Sequence, residues 1–380
     1  MTQRDVILQE DTPNTSPPMR TAASRQRPVL ITGGAGFIGT NVAHRLLAAG
    51  QEVLIFDNLS RPGVEQNLQR LCMHHGNRVR VCVADIRKAS AIRKAVHQAS
   101  QVFHFAAQVA VTTSVRDPQE DFEINALGTL HLLEALRQLT QPPPLVFTST
   151  NKVYGNLQDG TVCKHGTRYV PTDHALQVMG INEECPLAFY SPYGCSKGAA
   201  DQYVLDYARI YGLPAVVFRM SCIYGPHQCG TEDQGWVAHF LMRALTHTPI
   251  TLYGNGLQVR DILFVDDLVN ALLLAQTHMP ALAGQVFNIG GGTANTTSLL
   301  ELLALIAEIH GQKPVIRFAA WRPGDQKYYA SDIQRFSTAT GWIPQVRVRQ
   351  GVAALYAWLL QNHSCDPGQA LALAEVERTS

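Results

Sequence analysis

Tyr193 and Lys197 stand four residues apart in SPYGCSKGAADQY. On a helix that spacing puts both side chains on one face. An ammonium beside a phenol favours the phenolate and lowers the tyrosine pKa, which makes the pair a usable acid/base near neutral pH. Upstream, the apolar run PPLVF leads into TSTNKVYG, residues 148–155, and so places Thr150, Asn151 and Lys152 at the mouth of a strand. A bare Y-x-x-x-K is common on solvated helix faces, so its weight depends on the elements around it.

The first of these elements is PVLITGGAGFIGTNVAHRLLAAGQEVLIFDNLS, which reads as strand, glycine-rich turn, helix ending at Gly50, and second strand. Gly33, Gly36 and Gly39 are spaced G-x-x-G-x-x-G, and Gly34, Gly36 and Gly39 also fit G-x-G-x-x-G. Such glycines serve a tight turn, close approach of backbone to a pyrophosphate, and close helix packing. The helix that begins at Phe37 and Ile38 offers free N–H groups to phosphates. Asp57 at the end of the second strand can accept hydrogen bonds from a ribose diol and would repel a 2′-phosphate, so NAD is expected rather than NADP. Arg61 is the counter-signal. Asn58 and Ser60 after the second strand, and Ala106 and Gln108 at the end of the fourth, are further expected cofactor contacts. Asp85 and Ile86, after the third strand, are expected at the adenine; a loop Asp capping the next helix is the alternative for Asp85.

The alternation continues with RVRVCVAD, ASAIRKAVHQA, QVFHFAA, FEINALGTLHLLEALRQL, PPLVFTST, CSKGAADQYVLDYARIYG and PAVVFRMS. It predicts an α/β protein with a Rossmann-type doubly wound parallel sheet. Beyond residue 222 the pattern breaks into loops, short strands and two helices, near GWVAHFLMRALTH and TSLLELLALIAEIHG. These read as a smaller α/β substrate-binding lobe over the carboxyl ends of the strands, where such sheets bind ligands. The expected division is a disordered lead over 1–27, an NAD-binding domain over 28–221, a region over 222–363 that is mainly the substrate lobe and interleaved with the first domain, and a tail over 364–380.

Composition bounds the function. The 380 residues are 46% apolar and 16% charged with a net charge of +1, ordinary for a globular protein and without a nucleic-acid footprint. Eight cysteines with no C-x-x-C pair fit a reducing compartment. The pair His74–His75 is the only tight His/Cys pairing, and no metal is expected. No apolar run is long enough for a membrane span, and the N-terminal segment lacks a secretory core. A cytoplasmic protein without membrane or nucleic-acid partners is expected.

With these residues assembled, GGAGFIG, FHFAA, STNKVYG and YGCSK resemble the extended short-chain dehydrogenase/reductase family of nucleotide-sugar epimerases and dehydratases, over about residues 28–360. The resemblance implies Thr150, Tyr193 and Lys197 as the catalytic set, with Thr150 and Tyr193 sharing the sugar hydroxyl. It implies Asn125, in FEINALGT, as the organiser of a proton relay, and Arg260 and Arg322 near the phosphates of a nucleotide diphosphate. The 4,6-dehydratases of this family carry Asp-Glu after the Thr; here Asn151 and Lys152 occupy those slots. Asn has no titratable proton and Lys reverses the charge, so epimerisation is expected and elimination of water is not.

A narrower resemblance, in STNKVYG, SPYGCSKGAADQYVLDYARIYGL and YGPHQCGTEDQGWVAHF, is to the CDP-paratose 2-epimerase (CDP-tyvelose epimerase) family. It implies a CDP-hexose substrate, with Asn151, Gln234, Gly235 and Trp236 beside the nucleotide-sugar; Trp236 could instead be a core anchor of the small lobe. Cys222 stands where many relatives carry Asn, and the N-terminal lead is extended. The C–H at C2 of a hexose with intact C1 is not acidic, so inversion there requires oxidation to a 2-keto sugar and re-reduction, with NAD retained. A UDP-sugar 4-epimerase, a net oxidoreductase or dehydratase, and a non-catalytic dinucleotide sensor remain alternatives, and a homo-oligomer is expected.

Overall fold

The computed structural model describes residues 27–157, 162–322 and 325–362. The expected tail and all but residue 27 of the expected lead lie outside the described residues. The chain begins β1 (Val29–Thr32), α1 (Phe37–Ala48), β2 (Val53–Asp57), α2 (Val64–His75), β3 (Val79–Val83), α3 (Ala89–Val96) and β4 (Gln101–His104). Every residue of β1 and β4 is buried. Helices cover both faces of these strands, and for that reason they read as unbroken apolar runs rather than as alternation. The helices α4 (Val111–Arg116), α5 (Pro118–Phe122) and α6 (Gly128–Arg137) then lead to β5 (Leu145–Thr150).

After β5 the chain leaves the sheet for a hairpin, β6 (Val162–His165) and β7 (Arg168–Pro171), and α7 (His174–Met179). It returns through α8 (Pro192–Tyr211) to β8 (Ala215–Met220). The remainder runs β9 (Cys222–Tyr224), α9 (Trp236–Leu245), β10 (Ile250–Tyr253), β11 (Val259–Phe264), α10 (Val265–Thr277), α11 (Met279–Leu282), β12 (Val286–Ile289), β13 (Thr296–Ser298), α12 (Leu299–His310), β14 (Ile316–Ala319), β15 (Tyr328–Tyr329), α13 (Gln334–Thr340) and α14 (Val348–Gln361).

The large sheet has the order β12-β8-β5-β4-β1-β2-β3, and every pairing in it is parallel. This is the expected doubly wound sheet. From β1 the chain steps outward through β2 and β3, then crosses back to β4 on the other side of β1. The strand order reverses there, and the crevice at the carboxyl ends of β1 and β4 is the natural ligand site.

Three features depart from the sequence reading. More helices than two follow residue 222, and one of them, α10, packs through Leu268 and Leu272 with Val42 and Leu46 of α1 in the core of the large sheet. The short strand β12 also returns to the large sheet as its seventh member. Its four residues, VFNI, are too few to show a period, and only the pairing with β8 makes them a strand. The small lobe has its own apolar core, in which Leu241 of α9, Ile306 of α12 and Leu355 of α14 meet. The helix read as one piece over FEINALGTLHLLEALRQL is also three: α5 and α6 are joined by a π turn, Glu123–Leu127. Such turns re-aim side chains and recur at functional sites.

His104 at the end of β4 sits beside the crevice and is buried. Its ring nitrogens meet Thr32 Oγ1 at 2.6 Å and Thr129 Oγ1 at 3.1 Å. Burial, with Lys197 nearby, pushes its pKa down to about 3 from 6.5. A depressed folded-state value means stability that is present in full above pH 6.5 and is lost as the pH falls toward 3. Buried carboxylates with raised pKa values oppose this in the whole protein, so the comparison is between the parent and His104→Gln, which share them. The parent's stability advantage should shrink by on the order of 3 kcal/mol between pH 7 and pH 4, read from urea melts at each pH. An advantage that does not change with pH would show that His104 is not held neutral.

Candidate active site

The three glycines of the first turn act for different reasons. Gly33 has φ +67°, and a Cβ there would lie 2.7 Å from the Ala106 amide nitrogen across the crevice. A Cβ on Gly39 would collide with the Gly33 carbonyl, so this glycine lets α1 pack on the turn. Gly36 meets only the Gly33 carbonyl, at 3.1 Å, and otherwise faces open space. It is the N-cap of α1, no side chain caps this helix, and its first turn, which includes Phe37 and Ile38, holds no acid. The leading N–H groups of a helix need an acceptor, and here none comes from a capping side chain. The open face of Gly36 and the uncapped amides fit a dinucleotide pyrophosphate.

Asp57 closes this cradle. Its carboxylate accepts from the Ala35 amide at 3.1 Å and the Leu59 amide at 2.9 Å. Burial raises its pKa, while these amides and Arg61 oppose the rise. Arg61 does not close over the Asp57 carboxylate. Its guanidinium donates to Gln234 Oε1 at 2.7 Å and so ties the loop after β2 to the small lobe. Asn58 supports both neighbours: its Oδ1 accepts from the Ser60 amide at 3.2 Å and its Nδ2 donates to Asp85 at 3.1 Å. Asp85 is further held by Arg87, whose guanidinium donates at 3.0 and 2.8 Å, and its pKa falls to about 2. Its carboxylate therefore orders its own loop. Ile86, beside it, is buried under Gly128 of α6.

On the other side of the crevice, Thr32 Oγ1 accepts from the Ala106 amide at 3.3 Å. The Gln108 amide donates to Asn125 Oδ1 at 2.9 Å, and Asn125 Nδ2 returns to the Gln108 carbonyl at 3.1 Å. Asn125, in the π turn, also donates to Ser196 Oγ on α8 at 3.0 Å.

The helix α8 is launched by Ser191, whose hydroxyl accepts from the Gly194 amide at 3.0 Å, with Pro192 in the first turn. The Tyr193 amide is held by Ser114 Oγ at 3.1 Å. The Tyr193 and Thr150 hydroxyls face each other. Tyr193 is buried, and burial pushes its pKa up to about 12 against the opposing influence of Thr150 and Arg61. Lys197 does not reach across to the phenol as the sequence reading expected. Its ammonium donates to the Thr148 carbonyl at 2.6 Å and lies over the Phe147 ring, 4.4 Å from its centroid. Burial lowers its pKa to about 8, opposed by Asp201 and Asp121.

Thr150 ends β5, and its hydroxyl oxygen accepts from the Lys152 amide at 3.2 Å. Asn151 is buried beside it. The Lys152 ammonium is pushed down to about 8 by burial and by Arg260, with Asp325 and Cys222 opposing. Arg260 itself is 3.6 Å from Asp325, and Trp236 is hydrogen-bonded to Cys222. The end of β5 and the small lobe thus bring together Lys152, Arg260, Cys222 and Trp236. Trp236 also packs against the lobe's core and is half-buried there, so it anchors the lobe as well as facing this group. Arg322 stands apart. It pairs with Asp233 at 3.2 Å and lies 3.7 Å over the Tyr253 ring, next to Gln234 and to Gly235, which turns the chain into α9 with φ +79°.

Sequence reasoning missed Asp121, Ser196 and Ser114. The signal existed for the first two: Asp121 precedes Asn125 by four residues and Ser196 follows Tyr193 by three, so helical spacing places them with residues already singled out. Among the described residues no group of three or more His, Cys, Asp or Glu side chains could hold a metal, and no helix is long and apolar enough to cross a membrane.

Comparison with known proteins agrees with this fold. Residues 29–290 match the model of the NAD dependent epimerase/dehydratase family. The chain is 42% identical to the CDP-paratose 2-epimerase of Salmonella typhi, over 87% of this chain and 98% of that protein. Among solved structures, it resembles the UDP-glucose 4-epimerase of Thermotoga maritima, solved with UDP-glucose, at a TM-score of 0.75 and 30% identity over 88% of this chain and 99% of that one. It also resembles the dTDP-glucose 4,6-dehydratase of Streptomyces venezuelae, solved with NAD, at a TM-score of 0.76 and 28% identity over 89% and 98%.

Tyr193→Phe keeps the ring's packing and removes the oxygen that faces Thr150. It should slow turnover by about 10²–10⁴-fold, the usual scale for loss of an acid/base, with dinucleotide still bound. Activity within about threefold of the parent would remove Tyr193 from proton transfer.

Proposed function

The chain belongs to the NAD-dependent epimerase/dehydratase family, and on that premise we propose that it inverts C2 of a CDP-linked hexose through a 2-keto sugar. The observation that carries this reading is the 42% identity, over nearly the whole of both chains, to a protein named CDP-paratose 2-epimerase. The site supports it in two ways. An acid/base oxygen on Tyr193 faces a second hydroxyl on Thr150, which suits a pair that shares one sugar hydroxyl. The two positions after Thr150, Asn151 and Lys152, carry no carboxylate to protonate a leaving hydroxyl or to deprotonate C5, so elimination of water has no catalyst there.

Bound NAD supplies a two-electron acceptor that takes the hydrogen from a carbinol carbon and gives it back. The chain does the rest. Asp57 receives the ribose diol, and the α1 amides beyond Gly36 receive the pyrophosphate. Thr150 aligns the C2 hydroxyl, and Tyr193 takes its proton and later returns it. A phenol raised to about 12 stays protonated at neutral pH until positive charge favours its ionisation, and Arg61 is the cation whose charge favours it. Lys197, anchored on the Thr148 carbonyl, holds the nicotinamide ribose. Lys152 and Arg260 give the substrate diphosphate two cations, Arg322 a third, and Gln234, Gly235 and Trp236 border the sugar. The 2-keto sugar turns within this pocket so that its second face is reduced. A cytoplasmic homo-oligomer is part of the same proposal.

A UDP-sugar 4-epimerase would use the same acid/base set, and the likeness to the Thermotoga enzyme supports it as the second reading. Incubation with CDP-, UDP-, GDP- and dTDP-hexoses, with products identified by mass and proton spectrum, separates the two. A CDP-hexose inverted at C2, with unchanged mass, is expected. Inversion at C4 of a UDP-sugar would favour the second reading, and loss of the mass of one water would revive the dehydratase.

A further inference from the structure

Asp121 is a carboxylate that the mechanism above does not use. It lies on α5 just before the π turn and is 1% exposed. Gln108 Nε2 donates to it at 2.6 Å, Asn125 Nδ2 at 3.2 Å, and the Ser196 hydroxyl at 2.5 Å. All three donors are neutral. A buried carboxylate held only by neutral donors still carries an uncompensated charge, and such a charge is costly unless a cation lies close by. Burial does raise the Asp121 pKa, and the cation that opposes the rise is Lys197.

Lys197 has the complementary problem. Its ammonium is buried, and it meets a carbonyl oxygen and an aromatic face. The charged and titratable groups around it come from three elements. On its own helix, α8, are Tyr193 and Asp201. From β4 comes His104, which is held neutral between two threonines. From α5 comes Asp121. Asp201 is already committed: Arg219 Nε and Nη2 donate to its two oxygens at 2.9 and 3.0 Å. The carboxylate with no basic group of its own is Asp121. Ser196, beside Lys197 in the chain, joins it to α8, and Asn125 joins it to the cofactor loop at Gln108.

We propose that Asp121 is a positioning residue of the active site, whose buried carboxylate is the counter-charge that keeps the Lys197 ammonium protonated and in place beneath Tyr193. The same negative charge disfavours the Tyr193 phenolate. Asp121 therefore sets both ends of the useful pH range, and its removal moves both in one direction. Without it Lys197 loses its proton at lower pH, and Tyr193 ionises at lower pH. The activity readout rests on the proposed epimerase reading; the lysine readout below does not.

Asp121→Asn keeps the shape and removes the charge; its oxygen can still accept from Gln108 and Asn125, while the Ser196 hydroxyl has to turn and accept from the new amide. The test compares kcat against pH for the parent, Asp121→Asn and Asp121→Glu, as full-length proteins with bound dinucleotide. The whole bell should move to lower pH by about one unit in the Asn variant, with about a tenfold loss on the alkaline side. The Glu variant should return the bell toward its original place. In parallel, trace acetylation with acetic anhydride, read peptide by peptide by mass spectrometry, reports the titration of Lys197 without any turnover. Lys197 should become reactive at lower pH in the Asn variant. If the parent proves inactive on every sugar tried, that measurement still decides the matter. If Asp121→Asn does not fold, the neutral Asp121→Ser, whose hydroxyl still accepts and which leaves room for a water among the three donors, carries the same expectation. A bell and a Lys197 titration that stay where they are in the parent, whether activity falls uniformly or not at all, would reduce Asp121 to a structural hydrogen-bond acceptor.

Discussion

The Lys197 ammonium sits in the interior, 2.6 Å from the Thr148 carbonyl and against the Phe147 ring, and much of the surrounding architecture follows from holding it there. A buried cation must be compensated by oriented dipoles and by counter-charge, or it gives up its proton. The β5 strand supplies the dipole, because the carbonyl near its end points toward α8. For that carbonyl to be reachable, α8 must pack across β5 in one register. The buried pair between Asp201 on α8 and Arg219 on β8 holds the helix in that register, and the Tyr154 hydroxyl meets the same guanidinium at 3.2 Å. With α8 so fixed, Tyr193 one turn earlier comes to the mouth of β5 beside Thr150. The placing of Tyr193 beside Thr150 is thus a consequence of where the lysine is anchored.

The interleaving of the two lobes has a physical reading as well. The chain leaves the large sheet after β5 and after β8, and each excursion contributes to the site before the chain returns. The first brings Asn151 and Lys152; the second brings the segment from Gln234 to Trp236 and the strand that carries Arg260. The returns, through α8 and through α10 and β12, bury apolar surface on the large sheet. The lobes are therefore fixed relative to each other by shared core rather than by a linker. Across the crevice they also touch directly, through Arg61 and Gln234, and through Asn67 of α2 and the His227 carbonyl at 3.2 Å.

The parts of this arrangement that were legible in the sequence are those set by local geometry. Gly33 and Gly39 are dictated by backbone conformation and close approach within a few residues, and they announce themselves as a motif. Tyr193 and Lys197 share a helix face, which the spacing alone requires. What could not be read depends on contacts between distant segments. The four residues of β12 are a strand only because β8 lies beside them. The burial that raises Tyr193 and lowers Lys197 comes from elements far apart in the chain, so the expectation of a phenol lowered by its lysine neighbour was drawn from spacing without the burial that outweighs it. Asp85 read equally well as a ligand or a loop carboxylate, and only the positions of Arg87 and Asn58 show its oxygens engaged. Asp121 carried a helical signal four residues from Asn125, yet its importance depends on neutral partners contributed by two other segments.

The central claim is that hydrogen leaves the inverted carbon and returns to it without exchanging with water. It is tested most directly by running the reaction to equilibrium in D₂O and reading the product's mass and proton spectrum. The account predicts an inverted C2 that keeps its proton and a product of unchanged mass, because Tyr193 exchanges only the hydroxyl proton. One deuterium on the inverted carbon would contradict it, since that label can arrive only by deprotonation of the carbon itself.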